Sequence, residues 1–295
     1  PHRDQLAHGA EVELLDERAL DERFPWLNAD GIGAATFGTG GEGWFDPAAA
    51  LRKVQEEATA LGARFVADEV VAIRTSDDRV RSVELRTGGS IECGHVVDAA
   101  GPAAAAVAGL AGATIPVEPR KRTVSLFRPG TEIEDFPNLV DPTVEGRGLY
   151  VRPYRDGLYM AVIAPRPERD PATFDQEPDT YLWDEIVRAA VGRRVRGFED
   201  AELVGGWAGH YEMNTFDQNA ILGPHPAVDG FWLACGFSGH GVMHAPAAGR
   251  GIAELITRGA YEALDLSPFS YDRIERGHAL DDVQPSEARV QRAGV

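Results

Sequence analysis

The 295-residue chain carries 47 acidic and 29 basic residues, which gives it a formal net charge of −18 at pH 7. This charge argues against nucleic acid or an anionic membrane surface as a partner, and no apolar run is long enough to predict a membrane span. The two cysteines, Cys93 and Cys235, lie in apolar, strand-like segments without metal-ligand spacing. We therefore expect buried, reduced thiols and a cytoplasmic protein.

The amino-terminal part predicts an acidic helix from Glu11 to Arg23, a turn at Pro25 and Trp26, and then a glycine-rich extended stretch. The segment GIGAATFGTGGEG has the composition of a phosphate-binding loop. It lacks the strand–GxGxxG–helix context of such a loop, and no Lys-Ser or Lys-Thr follows it. A turn-rich connection is the favoured interpretation.

A different pattern begins at Asp46, which is suited to cap a helix whose first residue is Pro47 and which ends at Gly62. Residues 63–101 then predict four strands, with turn residues at 76–78 and 88–89. The last of these strands, in HVVDAAGPAA, leads into a helix of small residues.

A Pro- and Arg-rich segment near residue 118 begins a second region, which predicts several strands and a helix over 179–191. The pattern of the first region then returns. FWLACGF predicts a buried strand, SGHG a tight turn, and APAAGRGIAELITRG a helix that allows close approach. The residues after Ser267 are predicted to form a polar, peripheral tail.

The strand–GFSGHG–helix unit is the strongest local signal. Glycines at 236, 239 and 241 allow backbone amides to approach a ligand, and the start of the helix adds a partial positive charge. A flavin needs such a site, because its reduced form carries negative charge at N1 and the C2 carbonyl. The residues alone leave a second interpretation open, in which the motif is a tight turn that serves helix packing.

GFSGHG and its helix resemble the C-terminal flavin motif of the D-amino-acid oxidase/sarcosine oxidase superfamily. GWFDPAAAL, EVVAI and VVDAAGPAA add to the resemblance, which covers about residues 10–275. WAGHYEMNTFDQNAILGPHP is most similar to the dimethylglycine/sarcosine dehydrogenase-like group. VEPRKR, NTFDQN, GPHP and DLSPF resemble the mitochondrial FAD-dependent oxidoreductase-domain proteins tied to complex I assembly.

The resemblance implies an α/β (α+β) fold with two lobes. Residues 46–117 and 208–265 would form a discontinuous, Rossmann-like FAD-binding lobe. Residues 1–45 and 118–207 would form a mostly antiparallel substrate lobe, followed by a tail over 266–295. Because no βαβ unit with GxGxxG precedes Pro1, the FAD lobe is expected to be incomplete and the chain to have been entered partway.

The resemblance also implies a non-covalent FAD and the residues that hold it. Val70 is expected near the adenosine, and three residues after the VVD strand near the ADP moiety: Ala99, Ala100 and Gly101. The isoalloxazine is expected to lie along the backbone of Gly239, His240, Gly241, Val242 and Met243. Bulk at Gly241 is expected to weaken hydrogen bonds to the flavin.

Substrate oxidation is assigned to Tyr150, which matches a family active-site tyrosine, and to Arg152, which could bind a carboxylate bidentately. The alternatives are an ordinary strand aromatic and a surface arginine. Monomeric sarcosine oxidases carry lysines where Met243 stands and near Tyr159. Their absence here favours a dehydrogenase over an oxidase.

Two histidine hypotheses are weaker. His210 falls near the position where sarcosine oxidases tether flavin, although a hydrogen-bonding or solvent role is favoured. The histidines at 225, 240 and 244 have no carboxylate at ligand spacing, so no metal is predicted.

The predicted function is FAD-dependent oxidation of a C–N bond in an N-methylated or secondary amino acid, with a possible electron-transfer partner. The alternatives are a flavin-retaining assembly or chaperone-like protein without turnover, and a catalytically silent fragment.

Overall fold

The computed structural model describes residues 2–280. It begins with two short helices and two strands: α1 (His2–Ala7), β1 (Val12–Asp16), α2 (Glu17–Arg23) and β2 (Ala34–Gly38). The helix predicted from Glu11 is therefore wrong in its first half. Val12 to Asp16 pair antiparallel with β2, and the extended Asp16 caps α2 by accepting the amide of Ala19 at 2.8 Å.

The next part contains one helix and four strands: α3 (Pro47–Ala60), β3 (Val70–Ser76), β4 (Arg79–Leu85), β5 (Ser90–Glu92) and β6 (Val96–Asp98). These elements confirm the sequence prediction. Asp46 accepts the amides of Ala48 and Ala49, and Gly62 follows the helix end with a φ of +99°. β3, β4 and β5 form an antiparallel sheet. No residue of α3 is buried.

A five-stranded antiparallel sheet occupies the middle of the chain, in the order β11-β7-β10-β9-β8. Its strands are β7 (Val117–Arg128), β8 (Leu139–Asp141), β9 (Leu149–Pro153), β10 (Tyr159–Ile163) and β11 (Glu202–Asn214). One face packs on a core that includes Phe127, Tyr159, Trp183 and Phe198. The helix predicted over 179–191 is a π-helical turn, Trp183–Val187, followed by a helix that ends at Arg194.

A smaller sheet has the order β12-β13-β6, with β12 (Ile221–Pro224) and β13 (Phe231–Cys235). β13 is antiparallel to β12 and parallel to β6. Three further α-helices lie between residues 104 and 258: α4 (Ala104–Leu110), α5 (Arg188–Arg194) and α6 (Gly241–Arg258). The mixed α/β class and the mostly antiparallel sheet are confirmed, while the boundaries of the two lobes remain a prediction.

The residues after Ser267 were predicted to be peripheral, and for the described part this is wrong. The short helix α7 (Asp272–Glu275) places Arg273 in a buried position. Tyr271 packs on the core beneath β6 and β13, and its hydroxyl donates to the carbonyl of Thr114 at 2.6 Å. Residues 281–295 of the predicted tail lie outside the described residues. Within residues 2–280, no helix is both long and apolar enough to cross a membrane.

Candidate functional site

Two loops with small residues leave the small sheet at one edge. β6 and β13 run parallel, with Val96 opposite Phe231 and Asp98 opposite Leu233. The carboxyl ends of parallel neighbours meet at the same edge of a sheet, which is where open α/β sheets bind ligands. The loop after β6 and the GFSGHG segment after β13 therefore lie side by side.

GFSGHG, hereafter the glycine turn (residues 236–241), has an unusual backbone. Gly236, Ser238 and Gly239 have φ values of +74°, +52° and +101°. The turn leads directly into the 18-residue helix α6, and no side chain caps its first turn among the described residues. Val242 and Met243 in that turn are exposed. The amides at this helix start therefore form a site suited to an anion.

Gly239 is packed closely against Tyr211 of β11. A Cβ added at Gly239 would lie 2.5 Å from Cε2 of Tyr211, closer than carbon atoms can approach. The guanidinium of Arg122 lies 5.0 Å from the Tyr211 ring centroid and forms two hydrogen bonds with Asp170, at 2.8 and 3.1 Å. Gly241 has more room, because its added Cβ would meet Phe237 at 3.6 Å.

Two carboxyl groups lie beneath the glycine turn. Glu212 of β11 accepts the amide of Gly236 at 3.2 Å, and burial raises its pKa. Asp98 accepts the amide of Ala100 at 3.1 Å through Oδ1. Its Oδ2 is buried and has no hydrogen-bond partner among residues 2–280. Burial raises the pKa of Asp98 to about 6, and Glu212 adds to this effect.

Acidification is expected to stabilise the fold through Asp98. Because its pKa in the folded protein, about 6, exceeds its ordinary value of 3.8, the native state binds the proton first. Its contribution to the free energy of unfolding therefore rises as the pH falls through 6, and is complete below about pH 4. At about 1.4 kcal/mol per pKa unit, this pH-dependent change in the free energy of unfolding is about 2–3 kcal/mol. It should be absent in Asp98→Asn. Denaturant unfolding at pH 4 and pH 7 measures it, and identical pH profiles for the two proteins would contradict it.

The residues assigned to the ADP moiety lie next to this turn. Ala99, Ala100 and Gly101 follow β6, and Gly101 has a φ of +58° with open space around its missing Cβ. The segment Gly101–Ala103 contacts β7 and β11. Val70, at the start of β3, packs on the core that contains Phe231.

Tyr150 and Arg152 lie together on the face of the large sheet that points away from its core. Residues paired across antiparallel strands share a face, so two rows cross this face. One consists of Trp207, Val124, Val162, Tyr150 and Val140, and the other of Gly205, Leu126, Met160 and Arg152. At about 4.8 Å between strands, Tyr150 lies about 14 Å from Trp207. Tyr211 is on the same face, because it is four residues from Trp207.

The surroundings of Arg152 differ from those of other arginines. Its Cζ lies 4.8 Å from the ring centroid of Trp44, and its Nη1 donates to the carbonyl of Pro153 at 2.9 Å. Burial raises the pKa of Tyr150, and Arg152 opposes this effect. Seven arginines of residues 2–280 are buried or half-buried. Six are ion-paired, at positions 120, 122, 147, 166, 194 and 273, and only Arg152 lacks a carboxylate.

His210 contacts the segment that precedes the π-helical turn, since its Nε2 lies 2.9 Å from the carbonyl oxygen of Asp175. Adjacent residues of a strand point to opposite faces, so His210 lies on the side of the sheet opposite Tyr211 and on the same side as Glu212. His240 and His244 stack with ring centroids 5.6 Å apart. In the part of the chain that the structure describes, no three potential metal ligands form a cluster.

Residues 2–255 match the profile of the family described as "DAO: FAD dependent oxidoreductase". The chain belongs to this family. It is 35% identical over 314 residues to the FAD-dependent oxidoreductase domain-containing protein 1 of Bos taurus, which covers 94% of this chain and 63% of that protein. Identity to the mitochondrial sarcosine dehydrogenase of Homo sapiens is 27% over 291 residues, covering 94% of this chain and 30% of that protein.

A solved structure shares the fold of this chain. L-Proline dehydrogenase from P. horikoshii superposes with a TM-score of 0.83 at 25% identity, covering 95% of this chain and 73% of that one. The resemblance to the superfamily is thus confirmed. The chain spans 63% of the length of the bovine relative.

The glycine turn fits the flavin that this family uses. The close packing at Gly239 and the first turn of α6 leave backbone amides available to an anionic edge. The motifs GWFDPAAAL and WAGHYEMNTFDQNAILGPHP contain Trp44, Tyr211 and Glu212, but no local pattern assigns these residues to the site. Their neighbours, Arg152, Gly239 and Gly236, are 108, 28 and 24 positions away along the chain. No local periodicity reports contacts over such separations.

Proposed function

We propose that the protein is an FAD-dependent dehydrogenase that oxidises a C–N bond of an amino-acid-like substrate, an N-methylated or secondary amine. Family membership supports the cofactor and the general reaction class. The observation that carries the substrate assignment is Arg152, half-buried in a strongly acidic chain and without a carboxylate partner among residues 2–280. A substrate carboxylate would supply the missing partner through two parallel hydrogen bonds.

The residues around Arg152 would orient the substrate. Trp44 stacks on the guanidinium and restricts its position. The Tyr150 hydroxyl, which donates to Asn138 Oδ1 at 3.3 Å, could turn towards the amine. Val162 and Met160, paired with Tyr150 and Arg152, add an apolar floor. Bound FAD supplies the acceptor for the hydride, and orientation of a neutral amine is the main task left to the protein.

A dehydrogenase is favoured over an oxidase because the two lysines of the chain, Lys53 and Lys121, are both ion-paired. Neither offers a free positive charge to the flavin. Lys121 forms ion pairs with Asp175 and Asp179, at 2.7 and 2.8 Å. Lys53 is paired with Glu57 on exposed α3. We further propose that the FAD is bound non-covalently, that a separate electron-transfer partner reoxidises it, and that the protein is cytoplasmic.

Substitution of Arg152 tests the proposal. Arg152→Gln in the FAD-loaded protein should raise KM for an amino-acid substrate by about 10- to 100-fold, because charged hydrogen bonds contribute about 1.5–3 kcal/mol each. Arg152→Lys should recover part of the loss. The measurement is anaerobic flavin reduction by N-methylated amino acids, followed by steady-state kinetics with an artificial acceptor.

Arg155→Gln is the matched control, because Arg155 is exposed and lies over Tyr154 outside the strand. It should leave KM unchanged. An unchanged KM in Arg152→Gln would remove the carboxylate assignment. Bound flavin that no amine reduces would favour an assembly protein without turnover.

A further inference from the structure

Glu212 reaches across the glycine turn. Its Oε2 accepts the amide of Gly236 at 3.2 Å. Burial raises the pKa of Glu212, and the amides of Gly236 and Phe237 oppose this rise. Its backbone carbonyl accepts the amide of Ser238 at 3.2 Å. Its Oε1 lies 3.8 Å from the position that a Cβ on Gly241 would occupy. The carboxylate thus spans from the first residue of the turn to the first residue of α6.

The charge of Glu212 is not balanced by a cation. Burial and backbone amides act on its pKa, and no basic side chain of residues 2–280 forms an ion pair with it. Its charge helps to raise the pKa values of Asp98 of β6 and Cys235 of β13. Arg122, behind Tyr211, is already paired with Asp170. Two carboxyl groups therefore lie beneath the turn without neutralisation.

This arrangement works against the helix start. The amides of the turn and the dipole of α6 favour an anion at this place. The Glu212 carboxylate uses some of this capacity to bind an anion, since it accepts the amide of Gly236. It also repels any further negative charge, and the repulsion is strong where water is excluded.

We propose that the carboxylate of Glu212 limits the affinity of the glycine turn for negative charge and thereby keeps the reduction potential of the bound flavin low. The inference rests on the proposed function, because it needs FAD at the turn. Glu212 acts here through the electrostatics of the turn, as a positioning residue. A low potential suits a flavin that passes its electrons to a protein partner.

Sulfite binding tests this role without substrate turnover. The sulfur lone pair forms a bond to flavin N5, and the displaced electron pair leaves a negative charge at N1 and the C2 carbonyl. Glu212→Gln keeps an oxygen that can accept from Gly236 but removes the charge. We expect at least tenfold tighter sulfite binding and an upward shift of the midpoint potential. Glu212→Asp should stay close to wild type, because it keeps the charge.

Glu202→Gln is the control, since Glu202 is an exposed residue at the far end of the same strand. It should change neither quantity. Unchanged sulfite affinity in Glu212→Gln would overturn the inference, as would equal changes in Glu212→Gln and Glu212→Asp, which indicate a structural role. Melting temperatures of all variants show whether folding is affected.

The two proposals fail separately. A wild-type protein that binds no FAD overturns both. Unchanged sulfite affinity together with the expected KM effect of Arg152→Gln overturns only the role of Glu212. If Glu212→Gln cannot retain flavin, Asp98→Asn replaces it, because it removes the other carboxyl of the pair. Tighter sulfite binding in that variant supports the inference, and no change overturns it.

Discussion

Arg273→Met is expected to lower the free energy of unfolding by about 3–5 kcal/mol, because it leaves Asp217 buried without its ionic partner. Arg273 Nε donates to Asp217 Oδ2 at 2.8 Å and Nη2 to Oδ1 at 3.0 Å. Nη2 also donates to the carbonyls of Asn219 and Ala220, both at 3.0 Å. Burial raises the pKa of Asp217, but Arg273 and nearby amides outweigh it and hold the pKa below its usual value. Denaturant unfolding of the apo-protein measures the loss.

Arg276→Met is the matched control, because Arg276 lies on the same carboxy-terminal segment, is exposed, and forms a surface pair with Asp272 at 3.5 Å. Such surface pairs contribute about 0–1 kcal/mol. Equal losses in the two variants would contradict the expectation. Lowering the pH should reduce the difference between wild type and Arg273→Met, because protonation of Asp217 removes the charge that Arg273 stabilises.

The effect of Arg273 should extend to the glycine turn. The side-chain Nδ2 of Asn214 donates to Asp217 Oδ1 at 3.0 Å. The backbone N–H of Asn214 donates to Ser238 Oγ, also at 3.0 Å. Asn214 also lies 3.3 Å from the position of a Cβ on Gly236. The described carboxy-terminal residues thus support the segment that is proposed to hold the flavin.

Elements with local signals could be predicted from the sequence. Asp46, Pro47 and Gly62 mark the ends of α3 through capping and backbone preferences that act within a few residues. The strand–turn–helix unit around GFSGHG is encoded in the same way. The strand at Val12 was missed because its partner begins at Ala34 and pairing, not local propensity, decides its conformation.

The site could be predicted only where residues follow one another in the chain. Tyr150 and Arg152 share a face because alternate residues of a strand do so. The sequence does not show that Arg152 stacks on Trp44 or that it lacks a carboxylate partner among residues 2–280. Both depend on how the chain folds back over the sheet. The pairing of Arg273 with Asp217 joins residues 56 positions apart, and a polar tail gave no sign of it.

Gly239→Ala is expected to weaken FAD binding by about 10- to 100-fold. The φ of +101° at Gly239 is one that residues with a side chain rarely adopt, and such strain costs about 1–3 kcal/mol. The added Cβ would also overlap Tyr211 Cε2, at 2.5 Å. Gly239 itself is exposed, so the backbone can shift there to relieve both, which moves the amides away from the flavin. Equilibrium titration of apo-protein with FAD measures the change in Kd.

Gly241→Ala separates this effect from a general intolerance of bulk. At Gly241 the added Cβ would lie 3.6 Å from Phe237 Cβ, an ordinary contact, so the Kd for FAD should change by less than about threefold. The space for a side chain is therefore smallest at Gly239, where a single methyl group already overlaps the Tyr211 ring. At Gly241, only a residue larger than alanine should weaken FAD binding. Combining Gly239→Ala with Tyr211→Ala should recover the part of the loss that comes from overlap and leave the part that comes from strain. Equal Kd values for the Gly239 and Gly241 variants would show that the turn does not hold the flavin through its packing on Tyr211.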